Sequence, residues 1–187
     1  MQPIVSHEFS LARTAGPPEN ISNTMSRGKL ERGRQLALKY PPSEPCSCAV
    51  CLRYCLRPGW WTVQEAAGAL RAGYGNRMML EVAPERSFGV LSPAFRGCER
   101  GFALQRFADR GCNFLVDGLC ELHGTGFQPL ECRFCHHGRT GLGPKCHADL
   151  EADWHTPAGR KLVARWAGAF GLWTELRVHG LARLAGG

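Results

Sequence analysis

The ten cysteines of this chain constrain its fold more than any other feature: Cys46, Cys48, Cys51, Cys55, Cys98, Cys112, Cys120, Cys132, Cys135 and Cys146. The first 45 residues and the last 41 contain none. Thiols this crowded either pair as disulfides or serve as metal ligands and redox groups. Disulfides need an oxidising compartment, hence export. The N-terminal stretch MQPIVSHEFSLARTAGPPEN lacks a basic start followed by an apolar run, so it does not read as a secretory signal. No stretch approaches the roughly 20 apolar residues of a membrane helix. The expectation is a cytoplasmic chain with no membrane partner, whose thiols act as ligands in a reducing compartment.

At 187 residues the chain suits one ordinary domain plus tails, and 44% apolar content argues against disorder throughout. The net charge is +7, but only four basic residues are lysine (Lys29, Lys39, Lys145, Lys161), and the arginines are scattered along the whole chain. Scattered charge keeps a protein soluble, whereas a nucleic-acid surface needs a concentrated patch. Nucleic acid is therefore disfavoured as a partner. A protein partner or substrate is left unidentified.

Three regions are expected. Residues 1–45 read as a leader, partly flexible, with a short basic helix over Arg27–Tyr40 that Pro41, Pro42 and Pro45 stop. Residues 46–155 form a cysteine-cluster metal-binding domain. Within it, Thr62 and Glu65 form a capping box ahead of Ala66, Ala67, Ala69 and Leu70, and Gly73 ends that helix. Met78–Val82 and Phe88–Leu91 read as short strands around a Pro84 turn. Cys98–Gly126 reads as irregular, with a hairpin at Asp117-Gly118. Residues 156–187 form a C-terminal amphipathic helix packing on the core, capped by Thr156-Pro157 and running to about Leu184, with breaks placed near Gly171 or Gly180. Leu162, Val163, Trp166, Phe170 and Trp173 recur at helical spacing, as core residues do. The fold class is a small metal-stapled α+β or irregular domain, mostly helices and loops around the cysteines.

The first cluster is Cys46-Ser-Cys48-Ala-Val-Cys51-Leu-Arg-Tyr-Cys55. A two-residue gap lets two thiolates reach one ion. Steric crowding argues against all four cysteines binding one ion. The second cluster runs from Cys112 through Cys120 to Cys132-Arg-Phe-Cys135-His136-His137, and Cys146-His147 follows. Ligands from such distant segments suit a site where metal replaces part of an apolar core. Cys132-Arg-Phe-Cys135-His136 also matches the c-type haem attachment pattern. The missing export signal and the other thiols weigh against haem.

The stretch Gly111-Cys112-Asn-Phe114-Leu115-Val-Asp-Gly-Leu-Cys120-Glu-Leu-His123, then Pro129-Leu-Glu-Cys132-Arg133, resembles the YkgJ-like cysteine-cluster family, a zinc- or iron-chelating domain. Upstream, Cys48-x-x-Cys51-x-x-x-Cys55 is similar to that family's opening cluster. The resemblance spans roughly Cys46 to Arg139. It implies Cys48, Cys51, Cys55, Cys112, Cys120 and Cys132 as shared ligands. It also implies a link to flagellin lysine methylases, where the cysteines resemble iron–sulfur ligands and S-adenosylmethionine is the methyl donor. The pattern departs after Cys132-Arg133, where the family continues with an aromatic and proline and this chain has Phe134-Cys135-His136-His137. That departure suggests a second site built from Cys135, His136 or His137, Cys146 and His147.

Thiolates serve zinc and iron–sulfur clusters alike. Nearby histidines favour zinc; the number of cysteines and the resemblance favour a cluster. Three functions stay open: a structural or electron-carrying metal module, a cluster-dependent enzyme such as a protein methyltransferase, and a zinc-finger-like nucleic-acid binder. No phosphate-binding loop or dinucleotide fingerprint is present to support the enzyme. The finger spacing is absent too.

Overall fold

A computed structural model describes residues 34–104, 111–139, 141 and 143–185. The reading of residues 1–33 lies outside them. Residues 34–39 are helical (α1). Then come α2 (Ala49–Tyr54), α3 (Val63–Arg71), β1 (Met78–Val82), β2 (Gly89–Pro93), β3 (Phe102–Leu104), β4 (Leu115–Val116), β5 (Leu119–Cys120), α4 (Gly143–Trp154), α5 (Pro157–Ala169) and α6 (Trp173–Val178). The chain thus combines helices with a few short strands.

Local chemistry sets several of these boundaries. Thr62 accepts a hydrogen bond from the Glu65 amide at 3.0 Å, and the Thr62 amide donates to Glu65 Oε2 at 3.0 Å, so both halves of the capping box form. The helix α3 ends at Arg71, with Ala72 between it and Gly73, whose φ of 91° only glycine adopts at low cost. Thr62→Ala is expected to cost about 1 kcal/mol, or roughly 2–4 °C in melting temperature. A thermal melt followed by circular dichroism checks this; an unchanged midpoint means the cap carries no stability.

Strand β1 is central in a three-stranded sheet, antiparallel to β2 and parallel to β3. Both β1 and β2 are buried along their whole length, so both faces of the sheet are covered. Met78, Leu80 and Val82 join the large apolar core, while Met79 joins a smaller one with Ala94, Phe95 and Ala103. Alternation along the strand explains the split. Glu81 on the same strand is fully buried as well. Beyond the sheet, β4 and β5 form the hairpin expected at Asp117-Gly118, with φ of 50° and 79°, the left-handed pair that a tight two-residue turn needs. The stretch read as irregular contains one further strand, β3.

The large core holds four indoles, and each ring N–H finds an acceptor. Trp60 donates to Glu81 Oε2 at 2.7 Å, Trp61 to the Phe127 carbonyl at 2.8 Å, Trp154 to the Trp61 carbonyl at 2.7 Å and Trp166 to the Gly75 carbonyl at 3.0 Å. Buried indoles are costly without such partners. The C-terminal segment is not one helix. Thr156 caps α5 as expected, but Gly171 (φ 70°) and Gly180 (φ 68°) turn the chain left-handed and separate α5, α6 and a final 3-10 turn at Ala182–Ala185. Its apolar residues Leu162, Val163, Trp166, Leu176 and Leu184 all enter the core.

Residues 34–45 are tied down where described. Leu36 and Tyr40 are buried. Tyr40 and Lys39 both donate to Asp149 Oδ2 on α4 at 2.6 Å. Arg139 donates to the carbonyls of Pro41 and Pro42. Those contacts fix the chain just before the first cysteine.

Candidate metal centre

Three thiols and one imidazole meet at the start of α2. Cys48 is the N-cap residue of that helix, in extended conformation. Cys51 stands in the first turn, and Cys46 reaches in from the preceding segment. The fourth group arrives from 86 residues further on: His137 opens a short 3-10 turn, His137–Arg139. Its Nδ1 lies 3.6 Å from Cys46 Sγ, 3.7 Å from Cys48 Sγ and 3.5 Å from Cys51 Sγ. All four ligand atoms lie within 4.8 Å of one another.

These distances can be tested against a tetrahedral zinc ion. Bonds of ~2.3 Å to sulfur and ~2.05 Å to nitrogen, at the tetrahedral angle, put sulfur and nitrogen roughly 3.6 Å apart. The observed separations, 3.5–3.7 Å, bracket that value. The Cys3His donor set is also one that structural zinc sites use. Ligation through Nδ1 requires the imidazole proton on Nε2. The His137 amide donates to Cys51 Sγ at 3.4 Å, a backbone bond of the kind that fixes a thiolate's orientation. Hydrogen bonding from the Cys51 amide, with the Cys46 thiol next, holds the Cys48 thiol down to about 6. Burial pushes the Cys51 thiol up to about 11.

A second set of thiols lies next to the first. Cys55, Cys112, Cys120, Cys132 and Cys135 line one partly open chamber, whose wall Cys46 and Cys51 of the first site also help to form. Cys55 ends α2, one turn beyond Cys51, and its carbonyl accepts from the Cys112 amide at 2.9 Å. Cys120 comes from the hairpin strand β5. Cys132 sits in the 3-10 turn Glu131–Phe134, within hydrogen-bonding reach of Cys135. Backbone amides point at two of the sulfurs: Gly59 donates to Cys132 Sγ at 3.2 Å and Phe114 to Cys112 Sγ at 3.4 Å. Gly59 must be glycine for this approach, since a Cβ there would stand 2.7 Å from the Cys132 nitrogen.

Burial holds three of these thiols neutral. It raises Cys55 to about 11 and Cys112 to about 12, and it raises Cys120 as well. Cys132 is raised by its bond to Cys135 first and by burial second. A cation inside the chamber would reverse that balance, because bound metal displaces thiol protons. The chamber thiols are spread more widely than the first set. Among the described residues, only Cys46, Cys48, Cys51 and His137 bring three or more such ligand atoms within 4.8 Å. Wider spacing suits thiolates that bind separate iron atoms of a cluster.

The sequence-derived ligands therefore divide. Cys48 and Cys51 belong to the first site; Cys55, Cys112, Cys120, Cys132 and Cys135 belong to the chamber, where His136 also lines the wall. Among the described residues, Cys135, His136 or His137, Cys146 and His147 do not come together as the suggested second site. Cys146 is fully buried in the apolar core on α4, with its thiol raised by burial. His147 instead bonds Glu131 Oε1 at 2.9 Å and stacks on Trp60 with ring centres 4.4 Å apart. The Glu131 bond raises its pKa. Cys46, to which the sequence assigns no role, and His137, an alternative to His136 in the suggested second site, instead lie with Cys48 and Cys51. Arg133, beside Cys132 in sequence, turns its guanidinium to Glu65 and the Tyr40 carbonyl. Comparison of the chain with family models, curated proteins and solved structures gives no match.

Proposed function

We propose that this chain is a metal-binding protein with two thiolate centres of different kinds. Zinc occupies Cys46, Cys48, Cys51 and His137 and joins the start of α2 to the loop after Cys135. The chamber formed by Cys55, Cys112, Cys120 and Cys132, with Cys135 as a fifth thiol, holds an iron–sulfur cluster with a redox role in a reducing compartment. The observation that carries the zinc assignment is the match of three sulfur–nitrogen distances, 3.5–3.7 Å, to a single tetrahedral ion. The cluster assignment is supported by wider thiol spacing, amide-to-sulfur bonds and burial, and by the YkgJ-like resemblance. That resemblance also brings a second reading, a cluster-dependent enzyme such as a methyltransferase using S-adenosylmethionine. No helix among the described residues is long and apolar enough to cross a membrane.

Anaerobic purification, followed by elemental and acid-labile sulfide analysis and an absorption spectrum, tests the proposal. The expected result is a brown protein with one zinc per chain in addition to iron and sulfide. Cys120→Ser should bleach the colour and leave the zinc. A folded, colourless protein free of both metals overturns the reading. Zinc in both sites, without iron, removes the redox role.

A further inference from the structure

On the far side of the chamber wall lies an open cleft of about 270 Å³, lined in part by Arg53, Tyr54, Arg57, Glu131, Phe134 and Cys135. Tyr54, Arg57 and Cys135 line the chamber as well, so one layer of side chains separates the two cavities. The polar groups of the cleft are not equally occupied. Both oxygens of Glu131 are engaged, Oε2 by the Trp60 amide at 2.8 Å and Oε1 by His147 Nδ1 at 2.9 Å. Arg57 is held from below: its Nη2 donates at 2.9 Å to Glu81, a fully buried carboxylate near the end of β1, whose other oxygen takes the Trp60 indole.

A buried carboxylate costs free energy, and here it fixes a guanidinium at the mouth of a cleft. Arg53 stands one turn earlier on α2 and lines the same cleft. Its side chain has no ion pair or hydrogen bond among the described residues. Glu81 balances the charge of Arg57, so Arg53 is the guanidinium at this opening that carries a charge without a partner among the described residues. The guanidinium fork matches the oxygens of carboxylates and phosphates.

We propose that this cleft binds a small oxyanion, a carboxylate or a phosphate monoester, through Arg53 and Arg57, against the outer wall of the chamber. The binding step stands on the cleft alone. Its consequence, a ligand one side chain from the metal, rests on the reading of the chamber given above.

The test uses the full chain purified with its metal. Inorganic phosphate and succinate are titrated by calorimetry at low ionic strength, and metal content is measured on every sample. Saturable binding of one probe is expected. Arg53→Ala should weaken it roughly tenfold or more, as loss of a charge-assisted contact does. Arg53→Lys should retain part of it. Arg165→Ala removes an exposed arginine on α5 and should change nothing. Arg53 is itself exposed, so its variants should melt with the wild type. Failure of both probes to saturate overturns the proposal, as does equal weakening in Arg165→Ala. Phosphate binding that persists in metal-free protein upholds the cleft and removes the chamber from the account. If the metal is a cluster, probe addition should also shift its absorption or paramagnetic spectrum in wild type and not in Arg53→Ala.

Discussion

His137→Ala is expected to strip the zinc from the chain and to leave the chamber's metal in place. The imidazole is the one ligand of the first site that is not a thiol, and it is exposed, so its removal opens no apolar cavity. Structural zinc contributes about 10–16 kcal/mol of apparent binding free energy in small domains, shared among four ligands. Loss of one ligand should lower stability by about 3 kcal/mol and the melting midpoint by roughly 6–12 °C. Excess zinc should recover part of the loss by mass action. Acid should mimic the variant. Cys51 is a neutral thiol without metal, so zinc binding releases its proton, and affinity must fall as pH falls. Elemental analysis and melts of both proteins check these points. Unchanged zinc in His137→Ala would remove His137 from the site. Simultaneous loss of iron would mean that the two thiol sets form one centre.

What the sequence revealed depended on how local the controlling interaction is. The Thr62–Glu65 box, the Asp117-Gly118 turn and the Thr156-Pro157 start each lie within a few residues, and each formed as read. Cys46 and His137 are 91 residues apart. Nothing in spacing alone shows that the Pro-rich segment, pinned through Arg139 to Pro41 and Pro42, brings them together. Cys146 shows the opposite case. Cys146, Leu150 and Trp154 repeat every four residues and are the buried stripe of α4. That signal was present in the sequence and outweighs the neighbouring His147 as a guide to its role. The C-terminal helix breaks at both of the glycines named from the sequence: Gly171 and Gly180 adopt positive φ and reverse its direction.

Arg57→Ala is expected to destabilise the protein by about 3 kcal/mol near neutral pH, and by less in acid. Removing one partner of a buried pair leaves the other charge uncompensated, at about 3–5 kcal/mol. The lower end applies because the Arg57 side chain is 42% exposed while that of Glu81 is 0%. Burial already raises the Glu81 pKa, and Arg57 opposes that rise first among its neighbours. Without Arg57 the folded-state value climbs further above the unfolded value. A carboxyl whose folded pKa is raised contributes stability below its unfolded pKa and loses it as pH rises toward the folded value. Over that window the folded variant keeps a proton that the unfolded chain gives up. Its stability should therefore fall by up to about 1.4 kcal/mol per pH unit, and the loss relative to wild type opens above the wild type's own raised Glu81 value. Denaturant melts between pH 5 and 8 measure this slope. The double variant Arg57→Ala, Glu81→Gln removes the titrating group and still offers an oxygen to the Trp60 indole, so its melts should lose the pH slope and recover much of the stability. A single variant with wild-type stability at pH 8 would show that Glu81 does not depend on Arg57. In that case the guanidinium at the cleft mouth is not pre-oriented by the sheet beneath it.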